Sequence, residues 1–236
     1  MCMDITSDLK TTVANLGADL IGVADLEPLR KGLPLLPGNL IESYFYGLSI
    51  GIHLQEDVIE TIEDRPTPEY ARHYRKINAT LDTISAQIVR WIWEKGFQGM
   101  AVPASQIMDE TNLLGSISHK AVARMAGLGW QGKSLLLITP EYGPRVRLVT
   151  VLTDMSLTPD RPIKNHCGKC LECVQACPAS AIKNSSTNSF YETRDVALDL
   201  EKCHQKLIEF KNLPGIGTRI CGVCIRVCPY GKKKKT

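Results

Sequence analysis

The sequence has few aromatic residues, no long apolar run and no strong excess of either charge. Phe, Trp and Tyr make up 6% of its 236 residues. No apolar run approaches the ~18 residues that a membrane span requires. The four lysines at 232–235 exceed the whole net charge of +3. These features argue against a membrane protein and against a nucleic-acid binder that relies on a basic surface.

Cysteine is almost absent from the first two thirds of the chain and abundant afterwards. Cys2 is the only cysteine before residue 160, and the other eight lie between Cys167 and Cys228. The first ten residues carry Asp4 and Asp8 and lack the basic and apolar blocks of an export signal, so we expect a cytoplasmic protein. Clustered cysteines in that compartment indicate metal binding rather than a disulfide framework.

This distribution, with the proline-containing segment 158–162, predicts two domains of an α+β protein. We expect residues 1–160 to form a mixed α/β domain and residues 161–236 to form a small ferredoxin-like domain. Thr67 and Pro68 are typical of a helix start, and apolar residues then recur every three or four positions up to Glu94. This pattern predicts one long amphipathic helix. Further elements expected in the first domain are helices over 5–16 and 118–126, strands over 21–24 and 44–54, and a β-hairpin formed by 134–139 and 145–153.

The eight clustered cysteines form two runs, each ending in Cys-Pro. The first run contains Cys167, Cys170, Cys173 and Cys177, and the second contains Cys203, Cys221, Cys224 and Cys228. In two-cluster ferredoxins, the fourth cysteine of each run binds the cluster of the other run. We therefore predict two [4Fe–4S] clusters with ligands exchanged between the runs. One cluster takes Cys167, Cys170, Cys173 and Cys228, and the other takes Cys203, Cys221, Cys224 and Cys177.

Two other readings of the motifs are weaker. Two zinc ions would also use eight thiolates, but zinc ribbons rarely carry three cysteines at successive two-residue gaps or two Cys-Pro pairs. Residues 127–134, Gly-Leu-Gly-Trp-Gln-Gly-Lys-Ser, match both phosphate-binding glycine patterns. Those motifs need a strand before the glycines and a helix after them. The predicted order here is the reverse, which argues against a nucleotide site.

The same glycine segment resembles the core of the epoxyqueuosine reductases. The matching residues are 126–133 (AGLGWQGK), 136–143 (LLITPEYG) and 151–154 (VLTD), followed by the paired cysteine runs. The resemblance implies a cobalamin-binding α/β domain joined to a domain with two [4Fe–4S] clusters, as in the related reductive dehalogenases. It is closer to a short form of that family without the C-terminal helical-repeat domain.

The resemblance also implies roles for individual residues. Cobalamin would bind without a histidine ligand, because no His in the sequence has Asp two positions before it. Asp109 and Tyr142 are weak candidates for proton donors. Lys120, Lys133, Arg145 and Arg147 are available either to neutralise polar groups of such a cofactor or to lie on the solvated surface. The residues expected to line the corrin are Gly127, Gly129, Trp130, Gly132 and Lys133; a structural turn around a core tryptophan is the alternative.

Two functions follow from this sequence. The first is a reductase in which the clusters pass electrons to bound cobalamin for reduction of a small-molecule substrate. The second is a non-catalytic electron carrier, or a protein that activates the corrinoid of a partner. Either function requires a redox donor such as a ferredoxin or flavodoxin, and neither leads us to expect a membrane or tRNA partner.

Overall fold

A computed structural model describes residues 4–30, 43–109 and 114–232. The fold mixes helices with sheet, which confirms the predicted α+β class. The helices are α1 (Ile5–Asn15), α2 (Glu27–Arg30), α3 (Glu56–Glu60), α4 (Pro68–Glu94), α5 (His119–Met125), α6 (Glu172–Gln175), α7 (Leu200–Lys211) and α8 (Val223–Arg226). The strands are β1 (Leu20–Asp25), β2 (Tyr46–His53), β3 (Gly99–Val102), β4 (Trp130–Gln131), β5 (Leu137–Ile138) and β6 (Val146–Thr153).

The chain divides into two compact units, and each is discontinuous in sequence. The first consists of Met1–Ile52, Ile77–Leu128 and Arg147–Ile163; the second consists of His53–Lys76, Gly129–Val146 and Lys164–Thr236. The chain enters the second unit for the last time at Lys164, close to the expected boundary at residue 160. Segments 53–76 and 129–146 also belong to the second unit, although they precede that boundary. The cofactors expected for the two domains remain predictions.

The first unit is built on a four-stranded sheet of order β1-β2-β6-β3. Strands β1 and β2 pair antiparallel, with Leu20 opposite Gly51, and β3 pairs antiparallel with β6, with Gly99 opposite Thr153. The two central strands, β2 and β6, are buried along almost their whole length. Their apolar residues form the main core together with residues of α1 and α4.

Helix α4 begins where the sequence predicts, because the Thr67 hydroxyl accepts a hydrogen bond from the backbone N–H of Tyr70 at 3.2 Å. Its predicted apolar stripe is the face that packs: Leu81, Ile84 and Ile88 are buried in the core of the first unit. Nowhere in the described ranges is a helix both long and apolar enough to cross a membrane.

Helix α5 packs unusually close to the sheet because two strand residues have no side chain. A Cβ placed on Gly22 would collide with the carbonyl oxygen of Ala126, and one on Gly47 would lie 2.9 Å from Val122 Cγ1. Glycine at these two positions therefore sets the distance between α5 and the strands.

The predicted β-hairpin of 134–139 and 145–153 is wrong. Strand β5 pairs with β4, with Trp130 opposite Ile138, and β6 lies in the four-stranded sheet instead. A single bridge between Thr139 and Gly143 closes the intervening turn. The two segments have the composition of paired strands, but β6 finds more apolar surface to bury between β2 and β3.

The second unit combines helices with very short strands. Besides the β4–β5 pair, an isolated bridge joins Ile182 to Leu198. One of its apolar clusters consists of Leu135, Ala181, Ile182, Tyr191, Ala197 and Leu198. Several cysteines pack against this cluster, namely Cys173, Cys177, Cys203 and Cys224. This part of the unit is therefore organised around its thiols.

Candidate cluster site

The first three cysteines lie on a tight loop that leads into α6. The backbone N–H of Cys170 bonds to the carbonyl oxygen of Cys167 at 3.1 Å, which curls the loop. The side chain of Asn165 tethers its start by accepting from the N–H of Cys167 at 2.8 Å and donating to the carbonyl oxygen of Gln131 at 2.8 Å. Segment 129–146 thus holds the loop in place.

Two cysteines of the second run are positioned by the first turns of two helices. Cys203 lies in the first turn of α7, where Asp199 caps the helix by accepting from the N–H of Lys202 at 3.1 Å. Cys224 lies on α8, which follows Gly222 in a left-handed conformation with φ of 89°. A Cβ on Gly222 would lie 2.5 Å from Ile62 and 2.9 Å from Tyr70, so α3–α4 residues pack directly under this loop.

None of these eight cysteines forms a disulfide, and each is partly buried. Cys167, Cys170, Cys173 and Cys228 line one cavity, together with Cys224. Burial raises the pKa of the Cys228 thiol to about 11, and the neighbouring charges of Cys167 and Cys173 add to this effect. Cys228, from the end of the second run, therefore lies with the cysteines of the first.

Cys177 shows the reciprocal placement. Burial raises the pKa of Cys221 to about 11, and the charges of Cys203 and Cys177 contribute further. The pKa of Cys224 is raised well above its ordinary value, first by burial and then by thiolates that include Cys221 and Cys177. The Cys177 sulfur accepts a hydrogen bond from the N–H of Ala181 at 3.4 Å.

This donor set fits iron–sulfur clusters. Within the part of the chain that the structure describes, no three His, Cys, Asp or Glu side chains lie close enough to hold one metal ion. A cubane separates its thiolates more widely than a single ion does, because each binds a different iron. The relevant observation is therefore the cavity that five cysteines line, four of which are the predicted ligands of one cluster. Thiols with raised pKa values are protonated at neutral pH, so cluster binding would release protons.

Trp130 contacts one of the cysteines, Cys167, directly. Its side chain is 1% exposed, and its indole Nε1–H donates to the Cys167 sulfur at 3.4 Å. The rings of His166 and Tyr230 meet it edge-on, with centroids 5.1 Å and 4.9 Å away. Trp130 is thus part of the surroundings of Cys167, and its orientation is fixed by packing.

The predicted glycine platform for a corrin does not fit. A Cβ on Gly127 would lie 2.6 Å from the carbonyl oxygen of Arg161, and one on Gly129 would collide with the carbonyl oxygen of Ile138. On Gly132 it would lie 2.7 Å from the Ile138 side chain and 3.6 Å from the Cys167 sulfur. The space that these glycines leave is filled by the chain itself. The structural turn around a core tryptophan describes this segment better than a ligand surface.

Lys133 and Arg145 are buried, at 4% and 0% exposed, rather than on a solvated surface. Lys133 Nζ donates to the carbonyl oxygen of Cys170 at 3.0 Å and to Asn184 Oδ1 at 3.3 Å. Arg145 donates to three backbone carbonyl oxygens, those of Tyr230 at 2.6 Å, Arg226 at 3.0 Å and Cys228 at 3.2 Å. It thereby anchors the segment that carries Cys228.

This role of Arg145 was not predicted from the sequence. Arg145 stands at the start of an apolar strand segment, where a charged side chain is buried only if it has partners, because burying an unpaired charge is costly. That position was the available signal. Asn165 was missed as well, because a single polar residue two positions before a cysteine carries no distinctive pattern.

The two candidate proton donors lie in different units. Asp109 forms an isolated bridge with Leu114 in the first unit, next to residues outside the described ranges. Tyr142 belongs to the second unit, where its ring stacks on His53 at a centroid distance of 4.5 Å. Neither residue lines the cysteine cavity, and both stay predictions.

The first unit has a separate open cavity that the sequence did not indicate. Its lining includes three carboxylates and two aromatic rings, from Asp25, Glu27, Asp154, Phe45 and Tyr46. Asp154 already accepts from the N–H of Gln98 at 2.8 Å, and Asp25 from the N–H of Glu27 at 2.9 Å. These bonds assign the two carboxylates to local backbone structure.

The arrangement of cysteines is that of an iron–sulfur protein, and comparison with known proteins supports this class. Residues 166–231 match the 4Fe-4S double cluster binding domain family. The second unit therefore contains a ferredoxin-type iron–sulfur domain, and the chain is an iron–sulfur redox protein.

Two curated relatives are similar to this chain. Epoxyqueuosine reductase of Bacillus anthracis is 37% identical over 126 residues, covering 50% of this chain and 30% of the relative. Tetrachloroethene reductive dehalogenase of Dehalobacter restrictus is 33% identical over 234 residues, covering 95% of this chain and 39% of the relative. The chain is thus an iron–sulfur protein that resembles the epoxyqueuosine reductases and the reductive dehalogenases, and it spans well under half the length of these two relatives.

Solved structures show the same fold. A catabolic reductive dehalogenase in complex with 3-bromo-4-hydroxybenzoic acid superimposes with a TM-score of 0.77 and 21% identity, covering 95% of this chain and 31% of that one. An epoxyqueuosine reductase with an epoxyqueuosine-modified tRNA stem loop gives a TM-score of 0.60 and 23% identity, covering 96% and 65%. The expectation that tRNA is an unlikely partner is therefore not supported.

Proposed function

We propose that this chain is an electron-transfer protein that carries two [4Fe–4S] clusters with ligands exchanged between its cysteine runs. The observation that carries the proposal is the placement of Cys228 in one cavity with Cys167, Cys170 and Cys173. The influence of Cys177 on the pKa of Cys221 supports the reciprocal exchange. Each cluster, when bound, supplies a one-electron redox centre. The chain's own residues position the thiols, exclude water and hold the loops that carry them.

The cluster count tests this proposal first. Anaerobically purified protein is expected to contain about eight irons and eight acid-labile sulfides per chain, four of each per cluster. Cys2→Ser is the matched control and should change neither number, because all eight ligands come from the two runs. Zinc in place of iron, or only four irons, would contradict the proposal.

Paired substitutions test the exchange of ligands. Cys177→Ala should leave about four irons, because only the cluster held with Cys221 is lost. Adding Cys221→Ala to that variant should then remove little further iron, whereas adding Cys170→Ala should remove the rest. The opposite pattern would show that each run binds its own cluster.

We also propose that cobalamin accepts electrons from this chain. The similarity to tetrachloroethene reductive dehalogenase along 95% of the chain favours this acceptor. One related solved structure is that of a reductive dehalogenase for which a mechanism of B12-dependent dehalogenation is suggested. The glycine segment 127–132 does not fit as the corrin site, because neighbouring parts of the chain fill the space beside these glycines. We further propose that a ferredoxin or flavodoxin donates the electrons. The final acceptor is a small molecule or a partner corrinoid protein.

Equilibrium dialysis against hydroxocobalamin under anaerobic reducing conditions tests the second proposal. About one corrinoid per chain would support it, and no retention would leave a two-cluster electron carrier. Gly129→Val is unsuitable as a selective probe, because its side chain would strike the backbone of Ile138 whether or not a corrin binds. The iron content of the same samples tests the cluster proposal independently of whether cobalamin binds.

A further inference from the structure

The two cysteine sets have different electrostatic surroundings. In the set of Cys167, Cys170, Cys173 and Cys228, the backbone carbonyl oxygens of two members accept hydrogen bonds from buried cationic side chains. Lys133 binds the carbonyl of Cys170 at 3.0 Å, and Arg145 binds that of Cys228 at 3.2 Å. Because both side chains are almost fully buried, their charges are poorly screened by water.

The other set consists of Cys177, Cys203, Cys221 and Cys224. Among the described contacts of Cys177, Cys221 and Cys224, no cation is fully buried. Lys206 is the cation that acts on Cys221, and it is ion-paired with Glu209 at 2.5 Å. Its side chain is 29% exposed, so solvent and the carboxylate both weaken its effect.

Each set contains a cysteine whose sulfur accepts a hydrogen bond. Cys167 accepts from the Trp130 indole at 3.4 Å, and Cys177 accepts from the backbone N–H of Ala181 at the same distance. The buried cations, in contrast, distinguish the first set. Carboxylates near that set reduce the effect of these cations but do not remove it. Glu56 lies 3.7 Å from Arg145 Nε, and exposed Glu172 lines the cavity.

We propose that Lys133 and Arg145 make the cluster held by Cys167, Cys170, Cys173 and Cys228 the more easily reduced of the two. Adding an electron makes a cluster more negative, so a nearby buried positive charge stabilises the reduced form. Electrons that enter at the other cluster would then come to rest on this one. The inference rests on the proposed function, because it requires that both clusters are present.

A redox titration of the whole chain, followed by electron paramagnetic resonance, tests the inference. The wild type should show two midpoint potentials. Trp130→Phe removes the N–H donor to Cys167 and keeps a ring, so it should lower the midpoint of that cluster alone and thereby identify it. Trp93→Phe, a change at a side chain that is 61% exposed in the first unit, is the matched control and should shift neither midpoint. We expect the midpoint that moves to be the higher of the two.

Lysine variants test the charge itself. Lys133→Met should lower the same midpoint, whereas Lys133→Arg, which keeps the charge, should shift it less. Lys169→Met removes an exposed charge beside Cys170 in sequence and should have little effect. Equal shifts in Lys133→Met and Lys169→Met would overturn the inference.

The outcome also separates the inference from the proposed function. Fewer than eight irons in the wild type would contradict the function. Eight irons with a Trp130→Phe shift in the lower midpoint, or in neither, would contradict only the inference. If Lys133→Met loses iron, the Trp130→Phe result alone decides.

Discussion

The two units of this protein are stabilised in different ways. The first buries apolar residues of α1, α4 and three strands in its main core. The second packs four of its cysteines against an apolar cluster and buries the cations Lys133 and Arg145. Loops that carry metal ligands commonly depend on the bound metal for their fold. We therefore expect the first unit to fold without a cofactor and the cysteine loops of the second to depend on the proposed clusters.

Removal of iron should give the largest effect. With a chelator under anaerobic conditions, backbone amides of α7 and α8 should lose protection from hydrogen exchange, because their segments are held by cluster ligands. Amides of α4 between Ile77 and Glu94 and of β6 should remain protected. Equal loss of protection in both units would show that the first unit also requires the clusters.

A cavity in the first core should give the next largest effect. Ile88 is fully buried, so Ile88→Ala should cost about 2–5 kcal/mol of unfolding free energy. Denaturant unfolding followed by exchange at β6 amides measures this change, and the iron content should not alter. Ile107→Ala, at a side chain that is 41% exposed, is the control and should cost much less. A large loss of iron in Ile88→Ala would contradict the independence of the two units.

Acid should weaken the first unit through His119. Burial lowers the pKa of this imidazole to about 4, and its nitrogens contact the Thr150 hydroxyl at 2.8 Å and the Pro103 carbonyl oxygen at 3.1 Å. The unfolded chain takes up the proton near its ordinary pKa of about 6.5. The contribution of neutral His119 is therefore complete above pH 6.5 and is lost as pH falls toward 4, by up to roughly 3 kcal/mol.

The His119 effect is measured as the pH dependence of unfolding at β6 amides. His119→Gln should flatten the profile between pH 6.5 and 4, whereas His166→Gln, at an exposed residue of the second unit, should leave it unchanged. Parallel profiles for the wild type and His119→Gln would show that another group controls the acid response.

Much of the first unit could be predicted from local patterns. Thr67, Pro68 and the apolar stripe located α4 to within a residue, because helix caps and a 3.6-residue period are properties of neighbouring residues. The hairpin prediction failed because the pairing of β6 depends on which distant strands offer it apolar surface. The motif 127–134 does not have the order of elements that a nucleotide site requires, since α5 precedes the glycines, β4 lies among them and β5 follows them.

By itself, the sequence indicated the class of cofactor and the candidate cysteines, because thiolate spacing and Cys-Pro endings are local features that are typical of ferredoxin-type iron–sulfur proteins. It could not determine the surroundings of those cysteines. Only the tertiary structure decided that Trp130, Lys133 and Arg145 lie against them, and that the glycines at 129 and 132 make room for Ile138 rather than for a ligand. Burial and contact across long stretches of chain depend on how all segments pack together, and no short pattern records that packing.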